Sequence, residues 1–323
     1  MFSPRLVLAA TLLVLPWSAA VHASASYPAK PIRMIVPFPA GGATDILSRE
    51  LARQLSDQLK QQVVVDNKPG AGGMLGAAEA ARATPDGYTI LLTTSSTHTI
   101  GPYLNPKTPY KPQADFTPVA HIADSASVIV VAPSLPVKSI KDLIDFAKKQ
   151  PGKLNYGSSG NGTIVHLGSE LFKASTGTDL THIPYRGTAL IIPDMVGGQI
   201  HLLVDNIASA KPHIRDGRVK ALAVTSAQRS PLMPELPTVA ETVPGFESVT
   251  WFGIFGPKNL PAAVVSRLNH DLNTVLRSTS FQERLRTLGY DGTGGSPEDF
   301  VKLMERDAAK WSKLIKDRGI TLE

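Results

Sequence analysis

Short runs of aliphatic and β-branched residues alternate along this chain with longer stretches whose apolar positions recur every third or fourth residue, the pattern of a parallel α/β fold. Ile32-Arg33-Met34-Ile35-Val36 reads as a strand. After it, Ile46, Leu47, Leu51, Leu55 and Leu59 fall on one helical stripe, with Arg49, Glu50 and Arg53 off it. Strands are predicted over 62–66 and 88–93, separated by an Ala-rich helix over 73–82 and the turn Pro85-Asp86-Gly87. A second set of units begins with a strand over 127–132. It continues through a helix over 140–149, a strand over 154–156 and a helix over 163–174 that places Ile164, Leu167, Leu171 and Phe172 on one side. Strands over 180–183, 200–204 and 221–225 follow, with a helix ending at Gly197-Gly198 and another over 207–215.

A Pro-rich stretch from Pro231 to Pro244 leads to a last strand, Val249-Thr250-Trp251-Phe252-Gly253-Ile254-Phe255. The remainder is helical over 262–278, 281–288 and 297–318, the last opened by the capping sequence Ser296-Pro297-Glu298-Asp299. Strands 127–132 and 249–255 are expected to cross between two lobes, 26–126 with 249–323 and 127–248. One large sheet is the alternative.

The first 25 residues combine one positive charge, Arg5, a short apolar run over 6–15 and an Ala23-x-Ala25 end. That is an export signal with cleavage expected after Ala25; an uncleaved anchor is the rival reading. The chain has no cysteine, which removes disulfides, thiolate metal sites and thiol nucleophiles together. Its net charge of +6 is scattered without basic runs, so nucleic acid is not expected. The eight histidines form no H-E-x-x-H or comparable pair, and no metal or cofactor is expected. Gly70-Ala71-Gly72-Gly73-Met74-Leu75-Gly76 has G-x-G-x-x-x-G spacing after Pro69, and reads as a tight turn with close helix packing rather than a dinucleotide site.

Two strand–glycine loop–helix junctions stand out: Pro37-Phe38-Pro39-Ala40-Gly41-Gly42-Ala43-Thr44-Asp45 and Gly157-Ser158-Ser159-Gly160-Asn161-Gly162-Thr163. Each sets free backbone N–H groups at a helix start, where an anion is held without a charged side chain. Two such cradles in two lobes suggest a cleft closing on a carboxylate. Thr44 and Asp45 either cap the first helix or, for Thr44 with Gly42 and Ala43, receive that carboxylate. The loop Thr94-Ser95-Ser96-Thr97-His98 is expected to reach the same cleft from the end of its strand, or to be an ordinary polar loop. Asp205 suits a ligand hydroxyl, ammonium or water, or else caps the helix after it. A nucleophilic Ser159 would make a periplasmic hydrolase or isomerase, but Gly157-Ser158-Ser159-Gly160 lacks the second glycine of a nucleophile elbow.

Tyr27-Pro28-x-x-Pro31-Ile32-Arg33 with Val36-Pro37-Phe38-Pro39-Ala40-Gly41-Gly42-x-Thr44-Asp45 resembles the mature start of the tripartite tricarboxylate transporter solute receptors, also called Bug receptors. Val65-Asp66-Asn67-Lys68-Pro69-Gly70, Asp86-Gly87-Tyr88-Thr89, Pro184-Tyr185-Arg186-Gly187, Asp205-Asn206 and Leu236-Pro237-Thr238-Val239 extend the match over the mature chain. The resemblance implies a type II periplasmic binding protein: an α/β fold of two doubly wound lobes joined by two hinge strands. It further implies a monomer that delivers a small organic acid to a membrane permease, or, as an alternative, reports it to a membrane kinase. Carried over by position, Ala40, Gly42, Ala43, Thr44 and Asp45 form the first ligand loop. Ser159, Asn161, Gly162 and Thr163 form the second, and Asp205 meets the distal end of the ligand; Ser95 is expected at the site from its place after the third strand, not from the resemblance. Gly187-Thr188-Ala189-Leu190 departs from the Ser-Gly-Pro-Ala that the family more often has there.

Overall fold

The computed structural model describes residues 27–321, so the segment expected to be an export signal lies outside the described residues. The first half runs β1 (Ile32–Val36), α1 (Ala43–Leu59), β2 (Val63–Asn67), α2 (Met74–Ala81), β3 (Thr89–Thr94), α3 (Gly101–Leu104) and β4 (Phe116–Val131). Next come α4 (Ile140–Lys149), β5 (Asn155–Ser158), α5 (Ile164–Thr176), β6 (Thr181–Pro184), α6 (Ile191–Val196), β7 (Leu202–Asn206), α7 (Ile207–Arg215) and β8 (Lys220–Val224). The chain closes with β9 (Val249–Pro257), α8 (Ala262–Arg277), α9 (Thr279–Leu288), β10 (Asp291–Gly292) and α10 (Pro297–Arg318).

The strands follow one hydrogen-bonded path, β2-β1-β3-β9-β4-β7-β5-β6, with β8 and β10 attached to β4. Parallel pairs β1–β2, β1–β3, β5–β6 and β5–β7 supply the doubly wound part of each half. β4 links the halves: residues 116–126 pair with β9, and residues 127–131 pair with β7 and β8. The period of two along each strand sorts the core cleanly. Ile32 and Met34 join Leu47, Leu51 and Leu55 of α1 and Leu268 and Leu272 of α8 on one face, whereas Ile35 meets Phe255 and Phe300 on the other. In the second half, Val128 and Val130 face Ile164, Leu167 and Ile207, while Ile129 and Val131 face Leu143, Tyr156 and Phe172.

Three expectations need correction. The crossing strand starts at Phe116, not at residue 127, because Pro118, His121 and Asp124 break the alternation and the register shifts at Pro118/Ala120 and His121/Ala123. β9 pairs along its length with β4 and β3; the second passage between the halves precedes it, where Ser248 N donates to Thr225 O at 2.9 Å. The 94–98 segment is also no loop. Ser96–Ile100 is a π-helical turn running into α3, and Thr97 and His98 are buried. Its threonines bond inside the protein, Thr93 and Thr97 Oγ1 lying 2.7 Å apart and Thr97 Oγ1 2.8 Å from His98 Nδ1, whereas the buried Ser95 hydroxyl has no partner. The His98 ring stacks on Phe255 at 4.1 Å, and burial pushes its pKa down to about 3.

The C-terminal helix α10 spans both halves. Ser296 caps it, accepting from Asp299 N. Phe300 packs under the first half, whereas Trp311 and Ile315 join the core of the second. Between them, Asp307 accepts from Trp251 Nε1 (2.8 Å), Thr99 Oγ1 (2.5 Å) and Trp311 Nε1 (2.9 Å).

Phe300 is fully buried, stacked on His121 at 5.6 Å and edge-on to Trp251 at 5.3 Å. Phe300→Ala should cost about 3–5 kcal/mol of stability, since the cavity left behind adds to lost transfer energy. Urea unfolding checks this; a loss below about 1 kcal/mol would mean the first half does not depend on α10.

Candidate functional site

The first glycine loop ends β1 and starts α1 on Gly42, which has extended backbone angles and no side chain to cap the helix. Gly41 takes φ +84, a conformation glycine adopts without strain. The first-turn N–H groups of α1 therefore have no side-chain acceptor from the N-cap, and Gly42, Ala43 and Thr44 line a cavity of about 250 Å³.

Asp45 does not line that cavity. Its buried Oδ2 accepts from Gly41 N (3.0 Å) and Arg49 Nε (3.0 Å), and its Oδ1 accepts from Asn67 Nδ2 (3.0 Å). Burial alone would raise this carboxyl, but the bonds from Arg49, Gly41 and Asn67 outweigh it and hold the pKa below the ordinary value. Asp45 braces the loop from behind. Tyr290 does so from below, its buried hydroxyl donating to Ala43 O.

The second loop is occupied by the protein's own groups. Thr163 caps α5 by accepting from His166 N, Gly162 N donates to His166 Nδ1 (3.2 Å), and Ile164 N donates across the cleft to Ser96 Oγ (3.0 Å). Ser159 lines the cavity together with Ile164 and Val165 of α5, and its hydroxyl donates to Thr163 Oγ1 at 3.1 Å. Asn161, Gly162 and Thr163 are not lining residues.

Asp205, at the end of β7, forms another wall and is 2% exposed. Its Oδ1 accepts from Asn206 N (2.9 Å) and its Oδ2 from Ser209 Oγ (2.6 Å). Desolvation, only partly offset by bonds from Ser209, Asn206 and Thr188, pushes its pKa up to about 6. Burial, followed by the charge of Asp205, raises the Tyr290 hydroxyl well above its usual value.

Of the residues singled out from the sequence, Ala40, Gly42, Ala43, Thr44, Ser159 and Asp205 line one cavity; Asp45, Ser95, Gly162 and Thr163 do not, and Asn161 lines an outer cavity instead. On β3 and the turn after it, Thr94 and Ser96 face the cavity, and the buried Ser95 between them does not. Sequence reasoning missed Phe38 and Pro39, the apolar wall of Ile164 and Val165, and Asn206 and Thr250. It flagged the 187–190 segment only as a departure, yet residues 186–190 form a whole side of the cavity. An outer cavity of about 610 Å³ shares Phe38, Pro39, Ser159 and Arg186 with the inner one. The halves touch around it: a Cβ on Gly187 would lie 3.0 Å from Pro39 Cγ, and one on Gly72 would lie 2.7 Å from Asn161 O.

Residues 47–320 match the sequence model of the tripartite tricarboxylate transporter family receptor, and the chain belongs to that family. Protein BugT of Bordetella pertussis is 36% identical over 307 residues, 94% of each chain. A solved structure from Rhodopseudomonas palustris, Rpa4515 with adipate, superposes with a TM-score of 0.89 at 39% identity, covering 91% of this chain and 99% of that one. MatC of the same organism, with bound malate, gives 0.85 at 29% identity over 90% of this chain and all of the other. The fold is thereby that of a two-lobed type II periplasmic binding protein.

Asp205 also predicts a pH profile for the unliganded protein. An Asp near 4 when unfolded and about 6 when folded holds its proton longer in the native state. Its contribution is therefore neutral below about pH 4, and stability is lost as pH rises toward 6, on the order of 2–3 kcal/mol above that. Chemical denaturation of wild type and Asp205→Asn should diverge over that window, the variant gaining relative to wild type. Parallel profiles would mean that Asp205 is not proton-holding.

Proposed function

We propose that this chain is an extracytoplasmic receptor that closes its two lobes on a small carboxylate and delivers it to a membrane permease of the tripartite tricarboxylate type. The observation that carries this reading is the α1 N-terminus, begun on Gly42 without a side-chain cap, facing a cavity between the lobes. Ala40, Gly42, Ala43, Thr44 and Ser159 are the proposed ligand contacts at the carboxylate end, and Asp205 at the far end. Asp45, Ser95, Asn161, Gly162 and Thr163 keep supporting roles. Adipate and malate in the two structural relatives support a carboxylate. The change of pairing between Ala126 and Ser127 supports lobes of 26–126 with 249–323 and 127–248.

A helix end contributes roughly 0.3–1 kcal/mol to a bound anion, up to about 2 when partly buried. Each charge-assisted hydrogen bond adds about 1.5–3 kcal/mol. A few such contacts, less desolvation and closure, suffice for the roughly −8 kcal/mol of micromolar binding. The ligand favours the closed form by its differential affinity, and that population shift is what a permease reads.

A receptor rather than an enzyme is supported by the Ser159 hydroxyl, whose partner is Thr163 and not a base. The Ser158 hydroxyl does lie 2.6 Å from His182 Nε2, but Ser158 is fully buried. The chain is taken to act as a monomer in the periplasm after loss of its leader, without cofactor or metal. Among the described residues no helix is long and apolar enough to cross a membrane.

Two measurements test the reading. A thermal-shift screen of organic acids should yield a stabilising carboxylate whose affinity Thr44→Val weakens about tenfold or more, from loss of one charge-assisted bond; an unchanged affinity would reject the first-loop assignment. Gly72→Ala should speed dissociation of the same ligand about tenfold, because its Cβ would meet Asn161 O only when the lobes are together. The unliganded variant should lose no more than the ~1–2 kcal/mol of left-handed strain at φ +65. Unaltered dissociation would remove this contact from the closing mechanism.

A further inference from the structure

The walls of the inner cavity are electrically unlike. At α1 the wall consists of backbone amides at the positive end of a helix. At β7 it is a carboxyl group, Asp205, almost wholly withdrawn from solvent. Asn206 N and Ser209 Oγ donate to that carboxyl, and the Thr188 hydroxyl also faces it. A carboxylate offers about four lone-pair sites, so a further donor can be accepted from the cavity side.

Among the described residues, no cation balances this acid. From α1, Asp45 is engaged with Arg49, and from beside β10, the Tyr290 hydroxyl is given to Ala43 O. β4 and β9 contribute Ser125 O and the Thr250 hydroxyl, both bonded to Asn206 Nδ2. α7 contributes Ser209. Arg186 is exposed where the inner and outer cavities meet, and it is not among the groups that shift Asp205.

Resting on the carboxylate reading above, we propose that Asp205 requires a hydrogen-bond donor at the far end of the solute. A hydroxyl or an ammonium meets it directly, and a second carboxylate enters only together with one proton, held between that carboxylate and Asp205. Two anions in a cavity of about 250 Å³ with no cation between them would repel; a shared proton turns the repulsion into a hydrogen bond. Dicarboxylate capture is then proton uptake, and the pH of the compartment sets which class of solute the receptor takes. The buried carboxyl, titrating at about 6, makes the exchange available near neutrality.

The test is calorimetric titration of the full mature chain with adipate and with its ω-hydroxy and ω-amino counterparts of equal length. Buffers of different ionisation heat, between about pH 5.5 and 8, count the protons taken up. Adipate should either fail to bind or bind with about one proton taken up per site near pH 7.5, its affinity falling about tenfold per pH unit above 6. The hydroxy acid should bind with little pH dependence, and the amino acid should tighten as pH rises through 6. Asp205→Asn should flatten the adipate profile and weaken the amino acid; should that variant not fold, the wild-type proton count decides alone. Adipate binding without proton uptake, weakened by Arg186→Gln, would overturn the proposal and assign the second carboxylate to Arg186, leaving the receptor reading intact. If none of the three binds, nor succinate nor malate, the carboxylate reading itself fails, and this proposal with it.

Discussion

A helix that begins on glycine cannot cap itself, and the candidate site depends on that omission. Gly42 leaves the first turn of α1 without a side-chain acceptor, and Gly41 brings the chain to it through a left-handed turn. The loop that presents these amides is held from outside the cavity. Asp45 gathers Gly41, Arg49 and Asn67, while Tyr290 holds Ala43 by its carbonyl. Preorganised donors of this kind need little rearrangement to receive an anion, and so most of the interaction energy goes into holding it.

The two helix starts that face each other across the cleft are not equivalent. The end of α5 is already answered by Thr163, His166 and, from the opposite lobe, Ser96. The second lobe therefore contributes chiefly apolar surface, Ile164 and Val165, together with one hydroxyl from Ser159 and the acid of Asp205. The bond from Ile164 N to Ser96 Oγ also means that lobe meets lobe directly beside the cavity, and closure is written partly in protein–protein contacts.

Most of the layout was legible because its periodicities are strong. The stripe of Leu47, Leu51, Leu55 and Leu59 is buried as spaced, α4 and α7 occupy their expected spans, and α10 runs from its Ser296 cap to the left-handed Gly319. The failures share one physical origin, polar residues wholly or partly withdrawn from solvent. His121, Asp124 and Ser125 disguise the first half of β4, and Thr93, Thr97 and Thr99 disguise a helical turn whose hydroxyls bond inside the protein. At the site, glycine and threonine chemistry identified the lining at Gly42, Ala43 and Thr44. It could not separate Ser95 from Ser96, since a helical turn instead of an extended loop decides which of two adjacent serines faces inward. Nor could Asp45 be told from a ligand residue, because a brace and a contact want the same carboxylate beside the same glycines.

Two passages of chain alone would leave one body free to swivel against the other like a door on a pair of cords. α10 adds a third attachment. Its early turns belong to the first half through Phe300 and its later turns to the second through Trp311, and the Asp307 carboxylate between them ties in Trp251 and Thr99. A third fixing resists twisting more than two passages of chain alone do. With the swivel so restrained, the register in which Gly72 meets Asn161 and Gly187 meets Pro39 is set by the frame as well as by the contacts themselves.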